Sequence, residues 1–307
     1  MMMNLLNVGP NPLRSGGVAF YQRALHEEFI KHKINPFYLG VDQIDHSKSE
    51  SFITQSNQDS FSRQIFDLVL CKGVYFGAVD PLYQISESSA NSAFKKFILD
   101  NEIKVVHFHA TRPASLIKVA KNSNCKVVVS LHDYWYLCSL GFRVLPNRKL
   151  CHGDNGKKCA QVCDSFSRDR EDYVIKNKFN KFIRSKIKAS LKFIMGNKYN
   201  LIENFLQRNT QKILPAVNSI ESNSGLSPVM LHPESEWISR QSEIINLLND
   251  YTDEIIAVSQ IVYDRHVESG IKSNKISVLN SGYEDADSAF FSKSRYCIER
   301  YFLSFCT

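Results

Sequence analysis

The hydrophobic positions of this chain form two patterns, short apolar runs and stripes of helical spacing, which follow one another along the sequence. Apolar runs without polar alternation are typical of strands buried on both faces. They predict strands at 4–8, 37–40, 105–108, 127–130, 254–258 and 275–279. Stripes of helical spacing predict helices at 18–32, 88–101, 115–122, 234–249 and 260–269. Strands that alternate with helices indicate an α/β fold with a Rossmann-like, doubly wound parallel sheet.

The first helix and the residues after it give more detailed expectations. The apolar stripe of this helix consists of Phe20, Ala24, Leu25 and Phe29, and we expect it to face the sheet. Asn35-Pro36 is predicted to end this helix before the second strand begins at Phe37. The polar, serine-rich residues 45–60 predict a surface loop, and 61–82 has no clear pattern.

The central strand at 127–130 is followed at once by His132, Asp133, Tyr134 and Trp135. In open α/β sheets, ligands bind beyond the carboxyl ends of the strands. These four residues are therefore predicted to line a site. The alternative is a polar turn that caps the next element.

Two neighbouring stretches are predicted to reach the same edge of the sheet. His107 and His109 alternate with Phe108, so both point to one face, and His109 ends its strand on the same rim as His132. Gly16 and Gly17 precede the first helix, where backbone N–H groups can meet a phosphate closely. The alternative is that these glycines let the helix pack close to the sheet. The loop GPNPLRSGG does not have the G-x-G-x-x-G spacing of a dinucleotide site.

Composition limits the class of protein and of partner. The chain has 307 residues, of which 43% are hydrophobic and 22% charged, as in ordinary globular proteins. A net charge of +7 favours anionic partners. The N-terminus lacks the basic residues and the long apolar run of a signal peptide, and no apolar segment reaches the roughly 20 residues of a membrane span. We therefore predict a cytoplasmic protein.

Four cysteines follow the central strand with the spacing C-x12-C-x7-C-x3-C, namely Cys138, Cys151, Cys159 and Cys163. Four thiolates from a loop with little apolar surface suit a structural zinc ion. Disulfides and unpaired buried thiols remain alternatives, and His152 is either a substitute ligand or an exposed residue.

Further along, the segment 176–198 carries many Lys and Arg residues and no acid, with apolar residues at helical spacing. It predicts a basic helix that lies on an anionic membrane face or is docked on the domain.

Several stretches, taken in order, resemble the N-terminal half of a family 4 glycosyltransferase with the GT-B architecture. They are SGGVAFYQRAL, VVHFHA, VVVSLHDYWYLC with its four cysteines, WISRQSEIINLLNDYTDEIIAVSQ and GIKSNKISVLNSGYE, within 4–284. The resemblance implies two Rossmann-like domains, the first for the acceptor and the second for the nucleotide-sugar. It also implies hexosyltransferase-like transfer with retention at the anomeric carbon, without a catalytic metal.

The resemblance also assigns roles to residues. Gly16 and Gly17 would approach the donor's phosphates, and His132 would be catalytic, beside the reacting sugar. His109 and Arg112 would contact the acceptor. Tyr134 and Trp135 would form a flat wall for a sugar face. A histidine that is neutral or cationic near pH 7 can donate a hydrogen bond to the departing diphosphate, and one such donor contributes about 3–4 kcal/mol.

The resemblance predicts the domain organisation as well. Residues 1–284 would be the acceptor-side domain, with an insertion at about 136–232, and 285–307 an irregular tail or linker. Ser281-Gly282-Tyr283-Glu284 departs from the family's N-G-hydrophobic-D, and the donor-binding domain with its paired glutamates is expected to be missing.

The expected function is therefore the acceptor side of a transferase of cell-surface polysaccharide biosynthesis. Its expected partners are a glycan or lipid-linked acceptor, a nucleotide-sugar and a separate donor-domain chain. One alternative is an inactive remnant that binds only the acceptor or a partner protein. The other is a zinc-stabilised nucleic-acid-binding module, but no recognition helix or RNA-binding motif is evident, so no nucleic acid is expected.

Overall fold

The computed structural model describes residues 2–14, 16–45, 47–56, 64–71, 81–109, 113–139, 141, 143, 145, 150–151, 153, 157–164 and 232–280. The strands among them are β1 Met3–Gly9, β2 Ile34–Ile44, β3 Phe52–Gln55, β4 Ile65–Leu70, β5 Val105–Phe108, β6 Lys126–Leu131, β7 Glu254–Ala257 and β8 Ile276–Val278. The α-helices are α1 Gly17–Lys31, α2 Pro81–Ile85, α3 Ser88–Asp100, α4 Leu116–Asn122, α5 Glu234–Tyr251 and α6 Gln260–Glu268. Short 3-10 and π-helical turns lie at Ser273–Lys275 and Cys159–Cys163.

The eight described strands form one sheet in the order β3-β4-β2-β1-β5-β6-β7-β8. All neighbouring pairs are parallel except β3 and β4. The chain builds one side of the sheet outward from β1 and then returns to add β5 on its other side. This confirms the Rossmann-like doubly wound sheet and places the topological switch point between β1 and β5, where such folds bind ligands.

The apolar runs of the central strands are buried on both faces of the sheet. Val127 and Val129 of β6 belong to one core cluster, and Val128 between them belongs to the other. The same holds in β1, where Leu6 and Leu5 lie in different clusters. Because helices cover both faces, these strands show no polar alternation, as the sequence predicts.

The predicted helical stripes are mostly, but not entirely, buried. In α5, Trp237, Arg240 and Ile244 are all buried, as their spacing predicts. In α1, Leu25 and Phe29 are buried, but Phe20 is 46% exposed, so the prediction for Phe20 is wrong. Phe20 lies in the first turn at the rim of the sheet, and the Arg23 guanidinium lies over its ring.

Two further expectations about the first half of the chain are corrected. The sequence predicts that the second strand begins at Phe37, but β2 begins at Ile34 and runs through Pro36, which pairs with Leu5 of β1. Proline is tolerated there because the pairing of β2 with β4 begins only at Tyr38, so no neighbour on that side needs the missing N–H. The predicted loop at 45–60 contains the edge strand β3, which pairs antiparallel with β4.

Some sequence-based expectations lie outside the described residues. They concern Arg112, His152, the basic segment 176–198, the residues 281–284 and the tail 285–307, together with most of the insertion. No described helix is long and apolar enough to cross a membrane. The described residues belong to one compact unit.

Candidate functional site

The carboxyl ends of the three adjacent strands β1, β5 and β6 bring a group of polar side chains together. Asn7 projects from β1, His109 follows β5, and His132 follows β6. The strand register aligns Asn7 with His107 and His107 with Val128, so these ends lie at one level. The group therefore lies at the switch point of the sheet.

A chain of hydrogen bonds joins these side chains. His109 Nε2 lies 3.3 Å from Asn7 Oδ1, and His109 Nδ1 lies 3.0 Å from His132 Nε2. His107, on the same face of β5, has its Nε2 2.8 Å from the hydroxyl of Ser130. Sequence alone predicted the common rim of His109 and His132, and the structure confirms it.

With the amide oxygen of Asn7 placed toward His109, the positions of the protons along this chain of hydrogen bonds follow. An amide oxygen only accepts, so His109 Nε2 carries the proton that it donates to Asn7. Neutral His109 then has its lone pair at Nδ1, and His132 Nε2 must donate to it. Nδ1 of a neutral His132 is left as a hydrogen-bond acceptor.

Burial keeps all three histidines neutral near pH 7. It lowers the pKa of His107 to about 3 and that of His132 to about 4, and it holds the pKa of His109 well below its usual value. Proximity lowers the pKa further, since a charge on His132 disfavours a charge on His107 and on His109. In this proton arrangement the one N–H of neutral His132 is used within the protein, by His109.

Tyr21 connects the histidines to the first helix. Its ring meets His132 and His109 edge-on, with centroid separations of 5.1 and 5.7 Å. Burial raises the pKa of its phenol to about 12, so the hydroxyl stays protonated. Because Tyr21 lies one turn into α1, the start of this helix and the histidines belong to the same region.

The two glycines at the start of α1 face open space. A Cβ added at Gly16 or Gly17 would meet nothing within 4 Å. Close packing therefore does not require either glycine, whereas a Cβ at Gly40 would collide with the buried Asp67 carboxylate and crowd Asn11. Gly16 has a φ of 138°, which disfavours other residues. No described side chain caps the N-terminus of α1, and its first turn contains no acidic residue.

The residues after His132 are arranged differently from the predicted wall. Asp133 Oδ1 accepts a hydrogen bond from the backbone N–H of Trp135 at 2.8 Å, as a turn-forming residue does. The Trp135 side chain is only 5% exposed, so its ring is part of the interior and offers no open face to a sugar. The partly buried Tyr134 packs on the core between Arg143, 5.8 Å from its ring centre, and His266, stacked at 6.2 Å.

The predicted metal ligands lie together. Cys138, Cys151, Cys159 and Cys163 line one cavity of about 20 Å³, and Cys138 and Cys163 are buried against each other. Burial, reinforced by the three neighbouring thiols, raises the pKa of Cys163 to about 12. All six described cysteines are outside disulfides. No group of three or more His, Cys, Asp or Glu in the described ranges is arranged to hold a metal ion as it stands.

Sequence reasoning missed three residues of the site: Asn7, Tyr21 and Ser130. The sequence pattern could have identified Asn7 and Ser130, since each is a polar residue within a largely apolar stretch of its strand. Both side chains are about 1% exposed, and one oxygen of each lies within hydrogen-bond distance of a histidine nitrogen. Tyr21 left no signal, because its position on α1 fits an ordinary helix.

Comparison with known proteins gives similarity at the level of structure alone. A scan against protein-family models and a search of curated proteins each gave no match. A glycosyltransferase from Rickettsia africae ESF-5 is similar over 98% of this chain, with 13% identity and a TM-score of 0.40. A sucrose-phosphate synthase from Thermosynechococcus elongatus is similar over 92%, with 10% identity and a TM-score of 0.42. The chain spans about half of each, 49% and 48%. TM-scores near 0.4 are too low to transfer a function from either protein.

Proposed function

We propose that this chain supplies the acceptor side of a retaining, nucleotide-sugar-dependent glycosyltransferase that acts in cell-surface polysaccharide biosynthesis. The resemblance of its ordered motifs to family 4 glycosyltransferases suggests the reaction. One observation supports the proposal most strongly: the open glycine turn, Tyr21 and His132 lie together at the switch point of the sheet. The second half of the cleft, which would hold most of the nucleotide, is a donor-binding domain.

The glycine turn is suited to a diphosphate. The first N–H groups of a helix have no partner within the helix and carry partial positive charge. Among the described residues, the first hydrogen bond of α1 is from Phe20 N–H to the Gly16 carbonyl, so the N–H groups of Gly17 and Val18 lie at the open start of the helix. With no Cβ at Gly16 or Gly17, an anion can approach this backbone closely. The turn would stabilise the negative charge that develops on the departing diphosphate.

His132 would bind the sugar by accepting rather than by donating. Its Nε2 proton is directed to His109, and Nδ1 is left with a lone pair. A sugar hydroxyl can donate to that lone pair, which fixes the orientation of the ring while the bond from the anomeric carbon to the diphosphate breaks. Asn7 and His109 act through His132 and are positioning residues.

The proposal can be tested by ligand binding and by product analysis. Saturation-transfer NMR with a panel of nucleotide-sugars and saccharide acceptors should show signals from at least one sugar ring. His132→Ala should weaken that binding at least about tenfold, the loss of one good hydrogen bond, whereas His32→Ala, at the exposed end of α1, should not. With a donor-binding domain supplied, the product should keep the anomeric configuration of the donor. If no nucleotide-sugar or saccharide binds the folded chain with or without that domain, the proposal is wrong.

A further inference from the structure

The four cysteines after β6 surround a space the size of a single ion. The cavity that they line measures about 20 Å³, which is about the room that one water molecule needs. Cys159 and Cys163 stand four residues apart in the π-helical turn, so both can face the same point. Cys138 comes from the loop after β6 and packs against Cys163. Four thiols from three separate segments therefore converge although nothing covalent joins them.

The surroundings of this cavity are rich in positive charge. Arg143 and Lys158 line it together with the cysteines. Arg143 Nη1 is buried and has no hydrogen-bond partner among the described residues. A buried guanidinium nitrogen without an acceptor is costly, so an anionic group close by would stabilise it.

Arg240 would also be stabilised by an anionic neighbour, because its whole side chain is buried, with 2% exposure. Its hydrogen bonds go to the side-chain oxygen of Gln84 and to the Trp135 carbonyl, both of which are neutral. No ion pair joins it to a carboxylate in the part of the chain that the structure describes. The side chains within its electrostatic reach that can become negative are Cys159 and Cys138, and Trp237, one turn earlier on α5, packs on Cys159.

We propose that Cys138, Cys151, Cys159 and Cys163 bind one structural zinc ion as thiolates, and that Arg240 neutralises part of the charge of this centre. A zinc ion with four thiolates carries a net charge of about −2. Such a centre would give the buried Arg240 an anionic neighbour, which it does not have among the described residues, and Arg143 and Lys158 would complete the neutralisation. Each thiol that ligates the ion gives its proton to solvent, so binding becomes tighter as the pH rises.

The thiols must move closer together to ligate zinc, since no described group of three or more potential ligands is arranged to hold a metal as it stands. Metal sites in short loops commonly form in this way, with ligand closure and local folding as one step. The closed centre would tie the loop after β6 to the π-helical turn and, through Arg240, to α5. That loop begins at His132, so the ion would support the sugar site without entering it.

Metal analysis of the full, tag-free chain tests the site directly. Protein purified under reducing conditions should contain about one zinc per chain. Replacement of zinc by cobalt(II) should give the visible bands and the sulfur-to-metal charge-transfer absorption of a tetrahedral tetrathiolate. Cys163→Ser should abolish the bound metal, whereas Cys125→Ser, at a buried cysteine outside this cavity, should retain it. The proposal is overturned if the wild-type chain takes up neither zinc nor cobalt, or if both variants lose the metal equally.

The role of Arg240 needs a separate comparison. Arg240→Met should weaken zinc binding about 10- to 100-fold, as is usual when a residue that supports a metal ligand is lost. Arg240→Lys keeps the positive charge and should restore most of that affinity. Circular dichroism of the zinc-loaded variants shows whether each has folded. Equal zinc affinity in the Met, Lys and wild-type proteins would overturn the assignment of Arg240.

Discussion

His109 Nδ1 lies 3.0 Å from Nε2 of His132, and this contact joins the ends of two neighbouring parallel strands. The bond fixes the chemistry of His132, because His109 is itself held by Asn7, 102 residues earlier in the chain. A catalytic residue predicted from its place in the sequence thus takes its proton arrangement from a residue of the central strand. This relationship leads to the first prediction.

Nitrogen-15 NMR of the imidazoles should find His132 as the neutral tautomer with its proton on Nε2 at pH 7. Asn7→Leu removes the acceptor for His109 Nε2, so the proton of His109 should move to Nδ1 and that of His132 to its own Nδ1. His32→Gln, at an exposed position, removes one unrelated imidazole signal and should change the proton position on neither His109 nor His132. A proton on Nδ1 of His132 in the wild-type protein would contradict the hydrogen-bond chain.

Stability should depend on pH through His107, which has no exposed surface. Its pKa is lowered to about 3 in the folded state, so the unfolded chain binds more protons below its own pKa of about 6.5. The contribution of neutral His107 to the free energy of unfolding is complete above pH 6.5 and is lost as the pH falls from there toward 3. Between pH 6.5 and 5 this one group should lower the free energy of unfolding by about 2 kcal/mol.

Urea unfolding at the two pH values measures this effect. His107→Gln should remove about 2 kcal/mol of the pH dependence, whatever it does to the stability itself. His32→Gln, at the exposed end of α1, should keep the wild-type dependence. The same slope in the wild-type protein and in His107→Gln would show that His107 is not held neutral.

Alanine substitutions at three glycines should separate backbone strain from packing. Gly16→Ala places a Cβ at a φ of 138° and should cost about 1–3 kcal/mol. Gly17→Ala has open space and an ordinary helical position, so it should be neutral or stabilise by up to about 1 kcal/mol. Gly40→Ala should be the most damaging, because its Cβ would collide with Asp67 and Asn11. Chemical unfolding of the three variants tests this order, and a large loss of stability at Gly17 would disprove it.

Asp253 should support the central strand through a hydrogen bond more than through its ion pair. Its Oδ2 accepts from the N–H of Val127 at 2.8 Å, while Oδ1 lies 2.5 Å from Lys121 Nζ on the surface. Asp253→Asn keeps an acceptor for Val127 and should cost less than about 1 kcal/mol. Asp253→Ala leaves that N–H without an acceptor and should cost about 1–3 kcal/mol. Lys121→Ala is the matched control, and a cost equal to that of Asp253→Ala would show that the ion pair dominates.

The sequence by itself determined the sheet and the rim. Both rest on periodicity, since the apolar run in β6 has no alternation, and His107 of β5 shares one face with His109, which follows β5 directly. It placed His109 and His132 on one edge because the carboxyl ends of parallel strands meet there. It also grouped the four cysteines, because four thiols in one loop with little apolar surface are candidate ligands of a structural zinc ion.

Only the tertiary structure decided what these residues can do. The strand order brings Asn7 beside His109, which in turn sets the tautomer of His132. Trp135, which follows the turn at Asp133, is buried and cannot line an open site. Pro36 and the edge strand β3 likewise depend on which strand lies beside them. Local spacing determines which face a side chain takes, but partners, burial and proton positions come from segments far apart in the chain, which meet only when the sheet has formed.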